Sequence, residues 1–224
     1  MNFETAKLHL ETSKLMGVSF LPVEAVSTKV EHDTVPNLDK QQELEQLCIS
    51  HDASCQHCTT STSHKQTVFG SGNPDASLLF IGEAPSLEED AQGVPFVGEA
   101  GQKLKQIIQA IGLHPDDAYV TNVLKSRPAD DRSPLPTEVD ICGAFLKKQI
   151  EIIEPDVIVT LGSVATKYIL NTNNGISRVR GQWGKYKNIP VLPTFHPAYL
   201  LRNYTTEIRK QVWEDMQKVI SRLG

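Results

Sequence analysis

The chain of 224 residues contains no run of about 18 apolar residues that could cross a membrane. Its N-terminus also lacks the basic start and the apolar block of a secretory signal. Four cysteines are too few for a disulfide scaffold in a chain of this length. Because 39% of the residues are hydrophobic and 22% are charged, a disordered, collagenous or low-complexity protein is excluded. We therefore expect a folded, soluble protein in the cytoplasm.

The length predicts one domain with an appendage, since domains commonly hold about 100–200 residues. Residues 1–40 show no sustained hydrophobic period, and we expect a mobile N-terminal extension whose partner, if it has one, is unknown. From residue 41 the pattern becomes helical and then alternates regularly. Residues 41–224 are therefore expected to form the folded domain.

Acidic residues are concentrated near the N-terminus. The net charge is −5, but residues 1–45 hold eight acids and four bases, which leaves 19 acids and 18 bases elsewhere. Residues 157–206 contain six bases and no acid. This stretch is either a chance run on a solvated surface or one electropositive face that suits an acidic partner.

Beyond residue 70, short apolar runs alternate with longer amphipathic segments. Strands are expected at 77–81, 118–121, 157–161 and 190–195, with helices at 98–111, 138–153, 163–170 and 206–223. Such alternation is typical of a parallel sheet with crossover helices. The sequence thus predicts an α/β fold of three layers, α/β/α, around a central, mostly parallel four-stranded sheet.

Polar side chains follow three of the predicted strands. Glu83, Asn122 and His196 each come at or just after a strand's carboxyl end, where ligands bind in this topology. A carboxylate can orient water, an amide can read a planar ring, and an imidazole can donate to a developing anion. Individually they could be a helix-end charge, a turn former and a loop histidine. Phe96 precedes a predicted helix and is either a stacking platform or a core residue.

Several segments together resemble the family 4 uracil-DNA glycosylases, the thermostable-type iron–sulfur branch of their superfamily. They include TVFGSGNPDASLLFIGEAP (67–85), GVPFVGEAGQKL (93–104), YVTNVLKSRP (119–128), RVRGQW (178–183) and FHPAYLLRN (195–203), and EED (88–90) and the segment 132–162 also match. The resemblance spans about residues 44–202. It implies a monofunctional enzyme that flips uracil out of DNA, hydrolyses its N-glycosidic bond and leaves an abasic site for base-excision repair.

The resemblance also implies how the base is recognised. Phe96 matches the family's stacking aromatic, and Asn122 matches the amide that pairs with uracil and meets the amino group of cytosine donor to donor. Glu89 falls where the family places a side chain near C5, which would crowd the methyl group of thymine. Gly82 and Ala84 belong to the same strand-end motif and are expected to line the substrate pocket.

Catalytic and DNA-binding roles follow from the same likeness. Glu83 would orient the attacking water and support an oxocarbenium-like state, and His196 would donate to uracil O2. Near His196, Leu200 would be an apolar wedge in the duplex and Arg202 would lie near phosphate. Ser86 stands where the family usually has glycine and would lie at the DNA-facing rim. We expect uracil-containing DNA as the partner, no membrane association and a monomer.

Family 4 holds a 4Fe-4S cluster on four cysteines. Cys55, Cys58 and Cys142 match three of them, but Ser126 stands at the fourth position and offers a harder, less acidic oxygen. Cys48, seven residues before Cys55, is either a replacement ligand or a buried thiol. A 4Fe-4S cluster, a three-cysteine cluster, a zinc site and free thiols therefore all remain open.

Two other functions are compatible with these departures. One is a catalytically weak DNA- or uracil-binding module with a cysteine metal site. The other is a metal or redox protein built around the CxxC at residues 55–58. The intact Glu83, Asn122 and His196 favour the enzyme over the binding module, and a brown colour with broad absorption would indicate a cluster.

Overall fold

A computed structural model describes residues 39–224, which contain one six-stranded sheet. Its strands are β1 (Ser71–Gly72), β2 (Leu78–Gly82), β3 (Tyr119–Asn122), β4 (Val157–Leu161), β5 (Gly184–Tyr186) and β6 (Ile189–Thr194). They lie in the order β1-β3-β2-β4-β6-β5. The four inner strands are parallel, and the edge strands β1 and β5 pair antiparallel with their neighbours.

Nine α-helices occur among residues 39–224. They are α1 (Lys40–Ser54), α2 (Gln56–Thr60), α3 (Leu87–Gln92), α4 (Glu99–Ala110), α5 (Pro136–Ile153), α6 (Ser163–Leu170), α7 (Ile176–Val179), α8 (Pro197–Arg202) and α9 (Thr206–Leu223). None of the helices in this range is long and apolar enough to cross a membrane. The predicted extension over residues 1–40 lies outside the described residues except for its last two.

Two cores form on the two faces of the sheet because the side chains of β2 alternate. Leu78 and Phe80 pack with residues of α4 and α9, whereas Leu79 and Ile81 pack with residues of α1, α5 and α6. Both faces of the inner strands are thereby buried, as is usual for parallel strands. The predicted three-layer α/β/α architecture is confirmed.

The four predicted strands are the four parallel ones, with ends shifted by at most one residue. The sheet has two strands more than predicted because β1 and β5 are short edge strands of two and three residues. Such segments are too short to show a hydrophobic period. They cover the edges of the parallel sheet, and Tyr186 in β5 packs partly buried against one of the two cores.

Buried polar contacts fix α9 against β6. Asp215 in α9 is fully buried, and its Oδ2 accepts hydrogen bonds from Thr194 Oγ1 at 2.7 Å and from Arg180 Nε at 3.0 Å. Because Thr194 ends β6, this contact holds the strand that leads into His196. Removal of one partner would leave a buried charge uncompensated, which commonly costs about 3–5 kcal/mol.

Candidate active site

The central crevice lies between β2 and β4, where the order of the parallel strands reverses: β3 is added beside β2 on one side, and β6 is added beside β4 on the other. β3 lies on one side of β2 and β4 on the other, so the loops after β2 and β4 diverge at the carboxyl edge. Gly82 at the end of β2 pairs directly with Asn122 at the end of β3. Beyond the strands, Val123 N donates to Gly82 O and Leu124 N donates to Glu83 O, both at 3.0 Å. Backbone hydrogen bonds from the chain after β3 therefore hold the backbone of Gly82 and Glu83 in place.

Asn122 has a buried amide without a hydrogen-bond partner. Its side chain is 1% exposed, and neither Oδ1 nor Nδ2 has a partner among the described residues. An unsatisfied buried polar group costs about 1–3 kcal/mol, so such groups need a reason. Lys125 supports the same turn, since its buried Nζ donates to Asn122 O at 2.7 Å. A fixed backbone thus presents a free donor and a free acceptor.

Gly82 keeps open the space beside this amide. A Cβ at position 82 would lie 2.2 Å from Asn122 Oδ1 and 2.7 Å from Phe96 Cζ. Both distances are shorter than any van der Waals contact. The glycine, the amide and the aromatic ring therefore meet at one point.

Phe96 is held in a strained backbone conformation. Its φ of 54° lies in the left-handed region that non-glycine residues rarely adopt, and such residues cluster at functional sites. Glu89 Oε1 accepts the Phe96 N–H at 2.9 Å, while its Oε2 accepts the Ser86 N–H at 3.2 Å. Burial raises the pKa of Glu89, and these two backbone donors oppose the rise. The buried carboxylate thus fixes the loop that carries the aromatic ring.

Ser86 caps α3 and is exposed. Its side chain accepts from Glu89 N at 3.4 Å, which completes a reciprocal capping box with Glu89. Ser86 also lines the cavity at the carboxyl edge. The spacing Ser86-x-x-Glu89 is a known signature of this box, and it would have located α3 from the sequence.

Glu83 and His196 face the same cavity, which has a volume of about 470 Å³. Ala84 and Arg202 also line it. Burial raises the pKa of Glu83 above its ordinary value. A second cavity of about 370 Å³ adjoins the first, and His196 and Phe96 both line it. Asn122 lines neither cavity and lies behind Gly82.

His196 is held as a neutral imidazole with a defined tautomer. Its Nδ1 accepts the Ala198 N–H at 3.1 Å, which leaves the proton on Nε2. Burial, aided by the nearby charge of Arg202, lowers the pKa of His196 to about 4. The ring lies 5.8 Å from that of Phe96, with an interplanar angle of 29°. His196 therefore offers an N–H donor at neutral pH.

Leu200 is not at the surface. It is 3% exposed and packs in the core, because α8 turns this position toward α4 and α9. Burial makes it unavailable as a wedge and corrects that prediction. The next residue, Leu201, is 36% exposed and lines the second cavity beside His196. Arg202 is exposed and lines both cavities, at the position predicted for a phosphate contact.

The basic stretch at 157–206 is partly neutralised by acids from other elements. Arg180 pairs with Asp215, and Lys187 pairs with Glu151 at 2.6 Å. Within residues 39–224, no ion pair involves the remaining four bases of the stretch. Fewer than six positive charges of this stretch are therefore available to a ligand. Of the unpaired bases, Arg202 lines the cavity.

Three of the predicted metal ligands lie together with one residue that was not predicted. The ligand atoms of His51, Cys55, Cys58 and Cys142 all lie within 4.8 Å of one another, and all four residues are buried. Cys48 is half-buried and outside this group. Ser126 Oγ lies 3.3 Å from Cys58 Sγ and borders the group. These four side chains can hold a metal ion.

The position of His51 in the sequence could have indicated a metal ligand, although the family resemblance did not include it. It precedes Cys55 by four residues and so lies on the same face at the end of α1, where Cys55 N donates to His51 O at 2.8 Å. A histidine at this spacing before a CxxC is compatible with metal ligation.

Comparison with known proteins identifies related chains. The model of the uracil DNA glycosylase superfamily matches residues 69–217. The type-4 uracil-DNA glycosylase of Thermotoga maritima is 42% identical over 185 residues, which cover 81% of this chain and 95% of that protein. The type-4 enzyme of Archaeoglobus fulgidus is 41% identical over 176 residues, 74% of this chain and 86% of that protein. A type-5 uracil-DNA glycosylase of Pyrobaculum aerophilum is 25% identical over 146 residues, 58% of this chain and 64% of that protein.

Proposed function

Since this chain belongs to the type-4 uracil-DNA glycosylases, we propose that it hydrolyses the N-glycosidic bond of uracil in DNA and initiates base-excision repair. The observation that carries the proposal is the buried, unpartnered amide of Asn122 beside Gly82 and Phe96. Glu83 and His196 stand at the adjacent cavity. Because Glu83 directly follows Gly82, this arrangement supports a base-reading amide and a hydrolytic pair that serve one substrate.

Uracil fits the free hydrogen-bonding groups of the Asn122 amide. The base offers an acceptor at O4 and a donor at N3, which match Nδ2 and Oδ1. Cytosine would place its amino donor against Nδ2, and a buried mismatch of this kind is strongly rejected. Access to the amide requires the Phe96 ring to shift, because its Cζ lies beside Gly82. The displaced ring would then stack on the base.

Glu89 contributes to specificity against thymine because its carboxylate is fixed in the pocket wall. Its carboxylate is bound by the N–H groups of Ser86 and Phe96, so it cannot swing away from the pocket wall. A methyl group at C5 would have to displace this fixed wall. We expect thymine to be excluded by this lack of space.

Glu83 and His196 divide the chemistry between attack and departure. The bond from the sugar C1′ to the base N1 breaks, its electron pair leaves with uracil, and water adds to C1′. The proton that this water loses balances the one that the uracil anion takes up. The Glu83 carboxylate orients this water and stabilises the cationic sugar. His196 Nε2–H donates to O2 as negative charge develops there, and its neutral form suits a donor that need not transfer its proton. The products are free uracil and an abasic site.

The nucleotide must leave the base stack of the DNA before its glycosidic bond can be reached. Leu201, exposed beside His196, would fill the gap that the base leaves, and Arg202 would contact a phosphate. Ser86 lies at the same rim. We therefore expect the DNA to lie along the carboxyl edge of the sheet.

The family resemblance implies a 4Fe-4S cluster on four cysteines, but this chain keeps only Cys55, Cys58 and Cys142 of them, with Ser126 at the fourth position. No step of the reaction above runs through a metal, because Glu83 and His196 supply the groups that act on the substrate. The cysteine group instead packs against Leu124 and Ala84, next to the residues that carry the reaction. Its contribution would be to hold the loops after β2 and β3.

The proposal is tested with a labelled oligonucleotide that contains one uracil. We expect free uracil by mass spectrometry and alkali-sensitive cleavage at that position only. Alanine at Glu83 or His196 should lower the single-turnover rate by about 10²–10⁴-fold while DNA affinity changes little. Equal losses of rate and affinity in these variants would make the pair binding residues. A folded chain that binds the DNA and releases no uracil would make it a binding module.

A further inference from the structure

The buried group around Cys142 differs in composition from a site made of four thiolates. It contains three thiols and one imidazole, from His51, Cys55, Cys58 and Cys142. The fourth cysteine position is filled by Ser126, and the remaining cysteine, Cys48, is not in the group. Three sulfur ligands and one nitrogen ligand form a common set for a structural zinc ion.

The separations within the group fit a single ion. Around a tetrahedral ion with metal–sulfur bonds of about 2.3 Å, sulfur atoms lie about 3.8 Å apart. Cys58 Sγ and Cys142 Sγ are separated by 3.8 Å, and Cys142 Sγ lies 3.9 Å from His51 Nε2. In a four-iron cluster each ligand binds a different iron, so the ligand atoms must be spread more widely. The residues present therefore do not fit the family's cluster.

His51 is oriented as a metal ligand. Its Nε2 faces Cys142, while its Nδ1 lies 2.8 Å from Asp52 Oδ1. A metal-bound histidine almost always donates its other ring N–H to a carboxylate or carbonyl, which fixes the ring and its tautomer. The same Asp52 oxygen also accepts from Thr67 Oγ1 at 2.8 Å. The imidazole is fully buried, and its ring is packed edge-on against Phe145.

The sulfur atoms also have outer partners. Lys125 N donates to Cys142 Sγ at 3.1 Å, and Ser126 Oγ lies 3.3 Å from Cys58 Sγ. When Cys58 is a thiolate, the Ser126 hydroxyl can donate to it. Serine at this position thus becomes an outer hydrogen-bond partner of a ligand.

We propose that His51, Cys55, Cys58 and Cys142 bind one tetrahedral zinc-class divalent ion, so that this chain has a Cys3His structural site in place of the family's 4Fe-4S cluster. His51 replaces the missing thiolate from a different element, the end of α1. The ion joins α1 and α2 to α5 next to Ala84 and Leu124. The inference concerns the ligand set and is independent of whether the chain releases uracil.

Metal content is the direct test. The full chain is purified anaerobically from cells supplied with both iron and zinc, and its metals and visible spectrum are measured. We expect about one zinc per chain and no iron–sulfur absorption. After exchange with Co²⁺, the spectrum should show tetrahedral d–d bands together with thiolate charge transfer. Stoichiometric iron and sulfide with a brown colour would overturn the proposal, as would failure to bind either Zn²⁺ or Co²⁺.

Variants identify the fourth ligand. His51→Ala should weaken Zn²⁺ binding, measured by chelator competition, by more than the 10–100-fold typical of losing an outer partner. Cys48→Ser is the matched control and should bind Zn²⁺ as the parent does. Unchanged affinity in His51→Ala, or a loss in Cys48→Ser of the same size, would contradict the assignment.

A second variant applies if His51→Ala does not fold. Asp52→Asn keeps every ligand and a half-exposed side chain of the same shape, so the fold should persist. Loss of the carboxylate partner should weaken Zn²⁺ binding by about 10–100-fold. Unchanged affinity would show that the contact of His51 with Asp52 does not orient a ligand.

Discussion

Burial shifts the pKa values of Glu83 and His196 in opposite directions. The pKa of Glu83 is raised by burial, whereas that of His196 is lowered to about 4. At neutral pH the imidazole is therefore neutral. As pH falls, Glu83 therefore gains its proton before His196 does.

The acid limb of the rate profile should report Glu83. We expect the single-turnover rate of uracil release to fall as pH drops through the raised pKa of Glu83, because the protonated carboxyl can no longer orient water as an anion. Glu83→Gln should reduce the rate by about 10²–10⁴-fold and remove this limb. The measurement is a pH series of single-turnover rates, with the exposed Glu214→Gln as control. A limb that survives in Glu83→Gln would assign it to another group.

Strand-end logic located Glu83, Asn122 and His196 because a side chain's distance from a strand end is visible in the sequence. The same logic could not show that Gly82 separates Asn122 from Phe96, since that depends on contacts between neighbouring strands. Nor could it show the function of Glu89, whose two carboxylate oxygens are bound to separate backbone N–H groups.

At the scale of elements, α8 shows how six residues present one face to the core and another to the cavity. Leu200 packs inward and Leu201 faces outward, one residue apart. The sequence around them is apolar at both positions, so no local pattern distinguishes the two. Only the docking of α8 against α4 and α9 does so.

The two leucines of α8 should respond differently to truncation. Leu201→Ala should lower uracil release from duplex DNA by about tenfold relative to single-stranded DNA, since the wedge offsets part of the cost of unstacking. Its stability should change by less than about 0.5 kcal/mol because the side chain is exposed. Leu200→Ala should lose about 2–5 kcal/mol in urea unfolding. A stable Leu200→Ala that selectively loses duplex activity would reverse the assignment.

Elements with a regular hydrophobic pattern could be predicted from the sequence, and elements without such a pattern could not. α6 and α9 begin and end where their hydrophobic period does, at Ser163–Leu170 and Thr206–Leu223. The edge strands and α3 have too few residues to establish a period. α3 depends instead on the capping box at its start and on Gly93, whose φ of 72° ends it.

For the whole molecule, the fold brings together groups that lie far apart along the chain. His51 and Cys142 are 91 residues apart, and their contact joins α1 to α5. Family resemblance led to the three cysteines but not to the histidine, because a substituted ligand leaves no trace in the family's own motif. The metal group and the base-reading group are linked through the turn at Val123–Leu124–Lys125 after β3.

We propose that the Asn122 amide, beside Gly82 and Phe96, reads uracil. The most direct measurement compares single-turnover release of uracil and cytosine from matched oligonucleotides by the parent chain and by Asn122→Asp. We predict that the parent releases uracil and no cytosine. In Asn122→Asp the preference should fall by at least about tenfold, which corresponds to loss of one buried hydrogen bond. If the parent chain releases no uracil, or if the variant keeps the parent's preference, Asn122 does not have this base-reading role.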